Sequence, residues 1–144
     1  MNAHDFDEGD LDNLAGWRGS GTNQHITVKF NEGIENRKGN DLVIRFYCGS
    51  AAQAGISLSR DNINWSNLGT ISGAPQEVPG KPGFLYDAEF DFENVFSGTA
   101  YYVKVSRQSA GPKTGMFFDS FASVPEPATM LFLSGGLLFI RRRV

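Results

Sequence analysis

Residues 84–92 read Phe-Leu-Tyr-Asp-Ala-Glu-Phe-Asp-Phe. Phe84, Tyr86, Ala88, Phe90 and Phe92 fall in phase at a period of two, with Asp87, Glu89 and Asp91 between them. Successive side chains of a strand point to opposite faces, so this pattern describes a strand with one apolar and one acidic face. A helix would scatter both sets around its axis. The carboxylate pairs Asp87/Glu89 and Asp91/Glu93 share the polar face and read as its solvated side, not as a glycosidase dyad.

The same period extends outward in both directions. Upstream, residues 41–47 (Asp-Leu-Val-Ile-Arg-Phe-Tyr) are rich in the branched and aromatic side chains that suit a pleated surface. Residues 25–30 alternate with Ile26, Val28 and Phe30 on one face, and residues 55–59 and 65–71 form two further short runs around a turn at 61–64. Downstream, residues 100–106 and 116–122 complete the set. Residues 31–40 are a polar connection with two glycines, and 74–83 contain three prolines and form a loop. About seven strands at this spacing predict an all-β fold, an antiparallel β-sandwich of jelly-roll type. No segment before residue 128 holds a helical period over three turns.

Composition supports one domain. The chain has 144 residues with 12 Phe, 4 Tyr, 2 Trp and 17 Gly, enough bulk for a single core and enough glycine for tight turns. The formal charge is −3, but Arg141, Arg142 and Arg143 supply three of the 13 basic residues. The remainder sets 10 basic against 16 acidic residues, about −6, which repels phosphate backbones and argues against a nucleic-acid partner. Cys48 is the single cysteine, so no intrachain disulfide forms, and without a basic neighbourhood it reads as a small half-buried residue. His4 and His25 have no metal-ligand spacing with each other or with Cys48, and no G-x-S-x-G nucleophile motif occurs.

Residues 1–22 read as an acidic and then glycine-rich arm. Asp5, Asp7, Glu8, Asp10 and Asp12 lack the glycine and glutamate positions of a calcium-binding helix-loop-helix and form a solvated cluster. Residues 1–16 have neither a basic start nor an apolar stretch and so do not make a secretory signal peptide. For an exported chain, the expectation is then a true start further upstream.

The last 21 residues read Val-Pro-Glu-Pro-Ala-Thr-Met-Leu-Phe-Leu-Ser-Gly-Gly-Leu-Leu-Phe-Ile-Arg-Arg-Arg-Val. Pro125 and Pro127 bias the residues before them to an extended form, which makes 124–127 a stiff, readable peptide. Residues 128–140 carry no charge, and the arginine triplet after them is held on the cytoplasmic side by the positive-inside rule. This order places residues 1–127 outside the inner membrane. The tripartite tail resembles the PEP-CTERM sorting signal of exported proteins in Gram-negative bacteria that make exopolysaccharide. Pro125, Glu126 and Pro127 match the sorting motif. Ala128, Leu131, Leu133, Leu137 and Ile140 fall in the membrane segment, expected as a short hydrophobic helix, and Arg141, Arg142 and Arg143 form the basic tip. The resemblance implies exosortase and inner-membrane lipid as partners, transient anchoring, and a destination at the cell surface or in the extracellular matrix. The apolar run has 13 residues, about 20 Å as a helix against a hydrocarbon core of about 30 Å, so arginine snorkelling or local thinning must close the gap.

The body resembles, on looser motifs, the discoidin-like or galactose-binding-like sandwich. The strings ITVKF, GNDLVIRFY, ISLSRDNINWSNLG, AYYVKVS and FFDSFASVPEP carry the likeness. Asn62 stands where that family's turn has glycine, and asparagine tolerates the same left-handed conformation. The resemblance implies a glycan ligand and a structural calcium ion, with Asp41 and Asp119 as candidate metal ligands; no other cofactor is implied. Trp65, and after it Trp17, are the candidates for stacking on a sugar ring.

The resulting expectation is an arm (1–22), a sandwich (23–123) and a sorting signal (124–144), in a non-enzymatic exported surface or matrix protein. The alternatives are a glycan-binding module of the exopolysaccharide matrix and, last, a small secreted hydrolase. Burial of the Trp65 indole is what separates the first two.

Overall fold

A computed structural model describes residues 15–17, 23–49, 51–72, 86–111 and 113–124. Among these residues eight strands are formed: β1 (Ala15–Trp17), β2 (His25–Glu35), β3 (Leu42–Cys48), β4 (Gln53–Ser59), β5 (Ser66–Ser72), β6 (Tyr86–Phe90), β7 (Thr99–Arg107) and β8 (Met116–Ser123). They make two four-stranded antiparallel sheets, ordered β1-β8-β3-β6 and β2-β7-β4-β5. Only β4 and β5 are consecutive neighbours in one sheet; every other connection crosses to the opposite sheet. That order is the eight-stranded jelly roll, as expected. Among the described residues no helix is long and apolar enough to cross a membrane. The arm at 1–14 and the short hydrophobic helix expected within 128–140 lie outside the described residues.

The period-two reading holds where it was strongest. In β3, Leu42, Ile44 and Phe46 are fully buried, while Val43, Arg45 and Tyr47 face outward. In β6, Tyr86, Ala88 and Phe90 pair across the sheet with Phe46, Ile44 and Leu42. Phe46 then lies 6.0 Å from Tyr86 and 6.4 Å from Phe118 between ring centroids, and Phe118 lies 5.4 Å from Trp17. The second sheet contributes Ile56, Leu58, Val103 and Val105, all fully buried. Ile26, Val28 and Phe30 are partly buried and pack against this core from β2. Buried aromatic and branched residues of this kind supply most of the folding free energy, at roughly 25 cal/mol for each Å² of apolar surface removed from water.

Apart from β6 ending at Phe90, before Asp91 and Phe92, two features depart from the sequence reading. Ala15–Trp17, placed in the arm, is a strand paired with β8 from Ala15↔Phe118 to Trp17↔Met116. Three residues are too few to show a period, and pairing with a neighbour makes them a strand. Gly16 permits it: a Cβ there would sit 2.3 Å from the Met116 carbonyl oxygen. The second departure is β2, which continues through 31–35 after a register shift between Lys29 and Ile34. Gly33 lies in that bulge at φ 74, a conformation that glycine adopts without penalty.

Candidate functional site

One end of the sandwich is built from the β2–β3, β4–β5 and β6–β7 connections, and β8 brings the chain out at the same end. Asp41, the residue before β3, is its hub. Its side chain is inside, at 2% exposure. Oδ1 accepts the N–H of Arg37 and Oδ2 the N–H of Phe92, each at 2.8 Å. The Asp41 N–H donates to the Phe90 carbonyl at 2.8 Å, and its carbonyl accepts the N–H of Val124 at 2.9 Å. One residue therefore ties together two loops and the point where the chain leaves β8. An unbonded carboxylate could not be buried here; hydrogen bonds from two amides to the charged group offset its desolvation.

Further bonds make the loops of this end one unit. The Asn36 N–H donates to the Gly98 carbonyl at 3.1 Å, and its side-chain amide donates to the Phe96 carbonyl at 2.6 Å. Arg60 donates to the Ser97 carbonyl, and its guanidinium carbon lies 5.4 Å from the centroid of the Phe96 ring. Phe92 and Phe96 form the floor, 0% and 9% exposed, with their rings edge to face. The β4–β5 turn is locked from within. Asp61 Oδ1 accepts the N–H groups of Ile63 and Asn64 at 2.9 and 2.8 Å, and Oδ2 accepts the Asn64 side-chain amide at 2.7 Å. These donors, the Asn64 N–H first, hold the Asp61 carboxyl well below the usual carboxylate range. Asn62 takes φ 64, the left-handed conformation expected at that turn.

The other sequence candidates are distributed away from this hub. Asp119 is the extra residue of the β8 bulge, since Arg45 pairs with Ser120 and Phe46 with Phe118. Its charge acts on Arg45, whose guanidinium grips Asp87 with two bonds of 2.8 and 2.9 Å; the Asp87 hydrogen bond is the main cause of the raised Arg45 pKa. Asp41 and Asp119 lie at different heights on the β3–β8 ladder, about 15 Å apart by strand rise, too far to share one calcium ion. Both Asp41 oxygens already accept amide N–H groups. No cluster of three or more His, Cys, Asp or Glu side chains among the described residues could hold a metal.

Trp65 is half-buried, and Lys104 Nζ lies over its ring at 4.0 Å from the centroid. A sugar stacking on that face would have to displace the ammonium, which itself gains from the ring quadrupole. Trp17 is 3% exposed, inside the core against Phe118, so it presents no stacking surface. Its Nε1 is buried without a hydrogen-bond acceptor among the described residues. Cys48 is half-buried, and burial raises its thiol pKa, opposing the thiolate. The acidic pairs are engaged locally: Asp87 by Arg45, Glu89 by the Asn40 side chain, and Asp91 by the Glu93 N–H at 2.8 Å.

The tail that leaves beside Asp41 decides what this end serves. Residues 123–143 match the model of the PEP-CTERM protein-sorting motif. The chain carries a PEP-CTERM sorting signal. The signal implies export, anchoring in the membrane before processing, and exosortase as the processing partner. No curated protein matches the chain. The PEP-CTERM match begins at Ser123, which is also the last residue of β8 and pairs with Leu42. The motif residues Pro125, Glu126 and Pro127, the apolar segment at 128–140 and the tip Arg141, Arg142 and Arg143 lie outside the described residues. Sequence reading found the signal and named Asp41 as a candidate metal ligand by resemblance; its part in holding the signal's root was not legible there. Nothing local shows that part, because two of its partners, Phe92 and Val124, are 51 and 83 positions away.

Proposed function

We propose that this is a non-enzymatic surface or matrix protein, in which the jelly roll is the displayed cargo and the tail its temporary anchor. The observation that carries the reading is the junction itself: the sorting signal begins on the last paired residue of β8, so sandwich and signal are one continuous device. Residues 128–140 enter the bilayer, and Arg141, Arg142 and Arg143 stay with the cytoplasmic headgroups. Exosortase acts near Pro125-Glu126-Pro127, and the released sandwich passes to the cell surface or the exopolysaccharide matrix. A non-catalytic role is supported by the engagement of the acidic side chains in ion pairs and turns, and by a cysteine whose burial opposes reactivity.

The intact mass of the protein recovered from an exosortase-positive and an exosortase-deleted host tests this. The expected result is loss of the residues beyond the Pro125-Glu126-Pro127 region only where exosortase is present. Full-length mass in both hosts, with the protein in the cytosol, would sink the proposal. The rival glycan-binding reading would gain from a Trp65→Ala variant that no longer binds exopolysaccharide in a pull-down while keeping its fold.

A further inference from the structure

We propose that, while the tail is anchored, the end of the sandwich formed by residues 36–41, 60–64 and 91–98 sits against the outer surface of the lipid bilayer, with Ile63 and Val95 as its contact points. The inference rests on reading the tail as a membrane anchor and adds a defined orientation and a lipid-facing surface.

Chain length sets the geometry. Val124 is fixed to this end by its bond to the Asp41 carbonyl. Only Pro125, Glu126 and Pro127 separate it from the uncharged run. Three extended residues span at most about 11 Å, and the prolines restrict folding back or free rotation. A sandwich tethered so closely cannot present an arbitrary side to the bilayer. The end that holds the tether faces it.

The surface of that end fits an interfacial environment. Four large apolar or aromatic side chains are exposed among the described residues: Tyr47, Ile63, Val95 and Tyr101. Tyr47 and Tyr101 lie on strands, whereas Ile63 and Val95 lie in the two loops beside the tail exit. Ile63 is 78% exposed and Val95 41%. Ile63 does not project through looseness, because its own N–H is bonded to Asp61 and the turn is closed on both sides. Val95 is likewise held, by its N–H on the Phe92 carbonyl at 2.9 Å. Arg37, Lys38 and Arg60 add cations at this end, but Asp61, Asp91 and Glu93 are there too and Arg37 is paired with Glu35, so attraction to acidic lipid is not the driving term. Two apolar tips are a weak ligand for a membrane in free solution. A short tether supplies a high effective concentration, and weak contacts then suffice. The same logic makes the contact transient, since it ends when the tail is cut.

The test uses the full chain in phosphatidylethanolamine/phosphatidylglycerol vesicles, in a Cys48→Ala background. A fluorophore is placed by Ile63→Cys, Val95→Cys or, at the opposite end, Ala110→Cys, and circular dichroism confirms the fold of each. With a quencher on the lipid headgroup, quenching at positions 63 and 95 is expected to exceed that at 110 several-fold. A flexible ten-residue Gly/Ser insertion between Val124 and Pro125 should bring the three positions close to equality while the protein still floats with vesicles. Equal quenching at all three in the uninserted, floating protein overturns the orientation but leaves the anchor intact. Failure to float overturns the anchor reading, and this inference with it.

Discussion

The two ends of the sandwich are each organised by a buried charge, but of opposite sign and with different partners. At the tail end, Asp41 is 2% exposed and its carboxylate accepts backbone N–H groups from two loops. At the other end, Arg107 is 7% exposed and donates to the Ser109 carbonyl at 2.7 Å, the Gln24 side-chain oxygen at 2.6 Å and Thr114 Oγ1 at 2.7 Å. Carboxylates suit places where loop amides converge, and a guanidinium suits places where oxygens do. The difference has a functional side. Arg107 donates to side chains, Gln24 and Thr114, of which the exposed Gln24 can re-pair with water if Arg107 is lost. Asp41 holds main-chain groups of the loops around the tail, and its own backbone carries Val124.

Removing each charge should therefore cost different amounts. Asp41→Ala leaves two amides without their acceptor, one of them buried, and each such group costs roughly 1–3 kcal/mol. A loss of about 3 kcal/mol is expected, read as a lower urea midpoint with unchanged slope. Asp41→Asn, which keeps one carbonyl acceptor, should recover about half of it. Were Asp41→Ala no more costly than an ordinary surface change, the hub would be an incidental contact and the rigid mount of the sorting signal would be lost with it.

Arg107→Met comes next, at about 1.5–2 kcal/mol, because methionine refills part of the apolar volume, the Gln24 oxygen is exposed to water, and the buried Thr114 Oγ1 keeps its bond to the Gly111 carbonyl. Thr114→Val isolates one branch of the same network. The two changes should be non-additive, since the guanidinium bonds Thr114 directly. Additivity within a few tenths of a kcal/mol would show that the Arg107–Thr114 bond contributes nothing.

This contrast also explains what could be read from the chain. The strands β3 and β6 were legible because burial on one face imposes a period of two on Leu42, Ile44 and Phe46 and on Tyr86, Ala88 and Phe90. The sorting signal was legible for the opposite reason: it is a linear word, recognised from the order of its proline, apolar and arginine parts. Hubs are neither. Asp41 takes its meaning from Phe92 and Val124, and Arg107 part of its meaning from Gln24, all far along the chain, and an aspartate before a strand looks the same whether it binds an ion, shapes a turn or clamps two loops. Strand β1 was hidden because its strand character comes from β8. Trp65 was legible as an aromatic beside a turn, but the Lys104 ammonium over its ring depends on the cross-strand arrangement of β7, β4 and β5.

The smallest expected effect concerns Asp61, which shares Asp41's chemistry without its burial. Its carboxyl is held well below the usual range by the Asn64 and Ile63 amides. A depressed folded-state pKa means that the turn's stabilisation is complete above the unfolded value of about 3.9 and fades only as pH falls below it toward the folded value. From neutral pH down to about 5, the amide resonances of Ile63 and Asn64 should therefore stay put, and they should move only at pH well below 4. Asp61→Ala should leave the urea midpoint nearly unchanged, because water can take over both exposed amides, yet it should speed hydrogen exchange at Ile63 and Asn64. A titration midpoint near 3.9 would mean that the donors are not held in place. Ile63 would then be a loose side chain on a floppy turn, and the rigid apolar tip assigned to the membrane-facing end would lose its footing, while the Asp41 mount on the same end would stand.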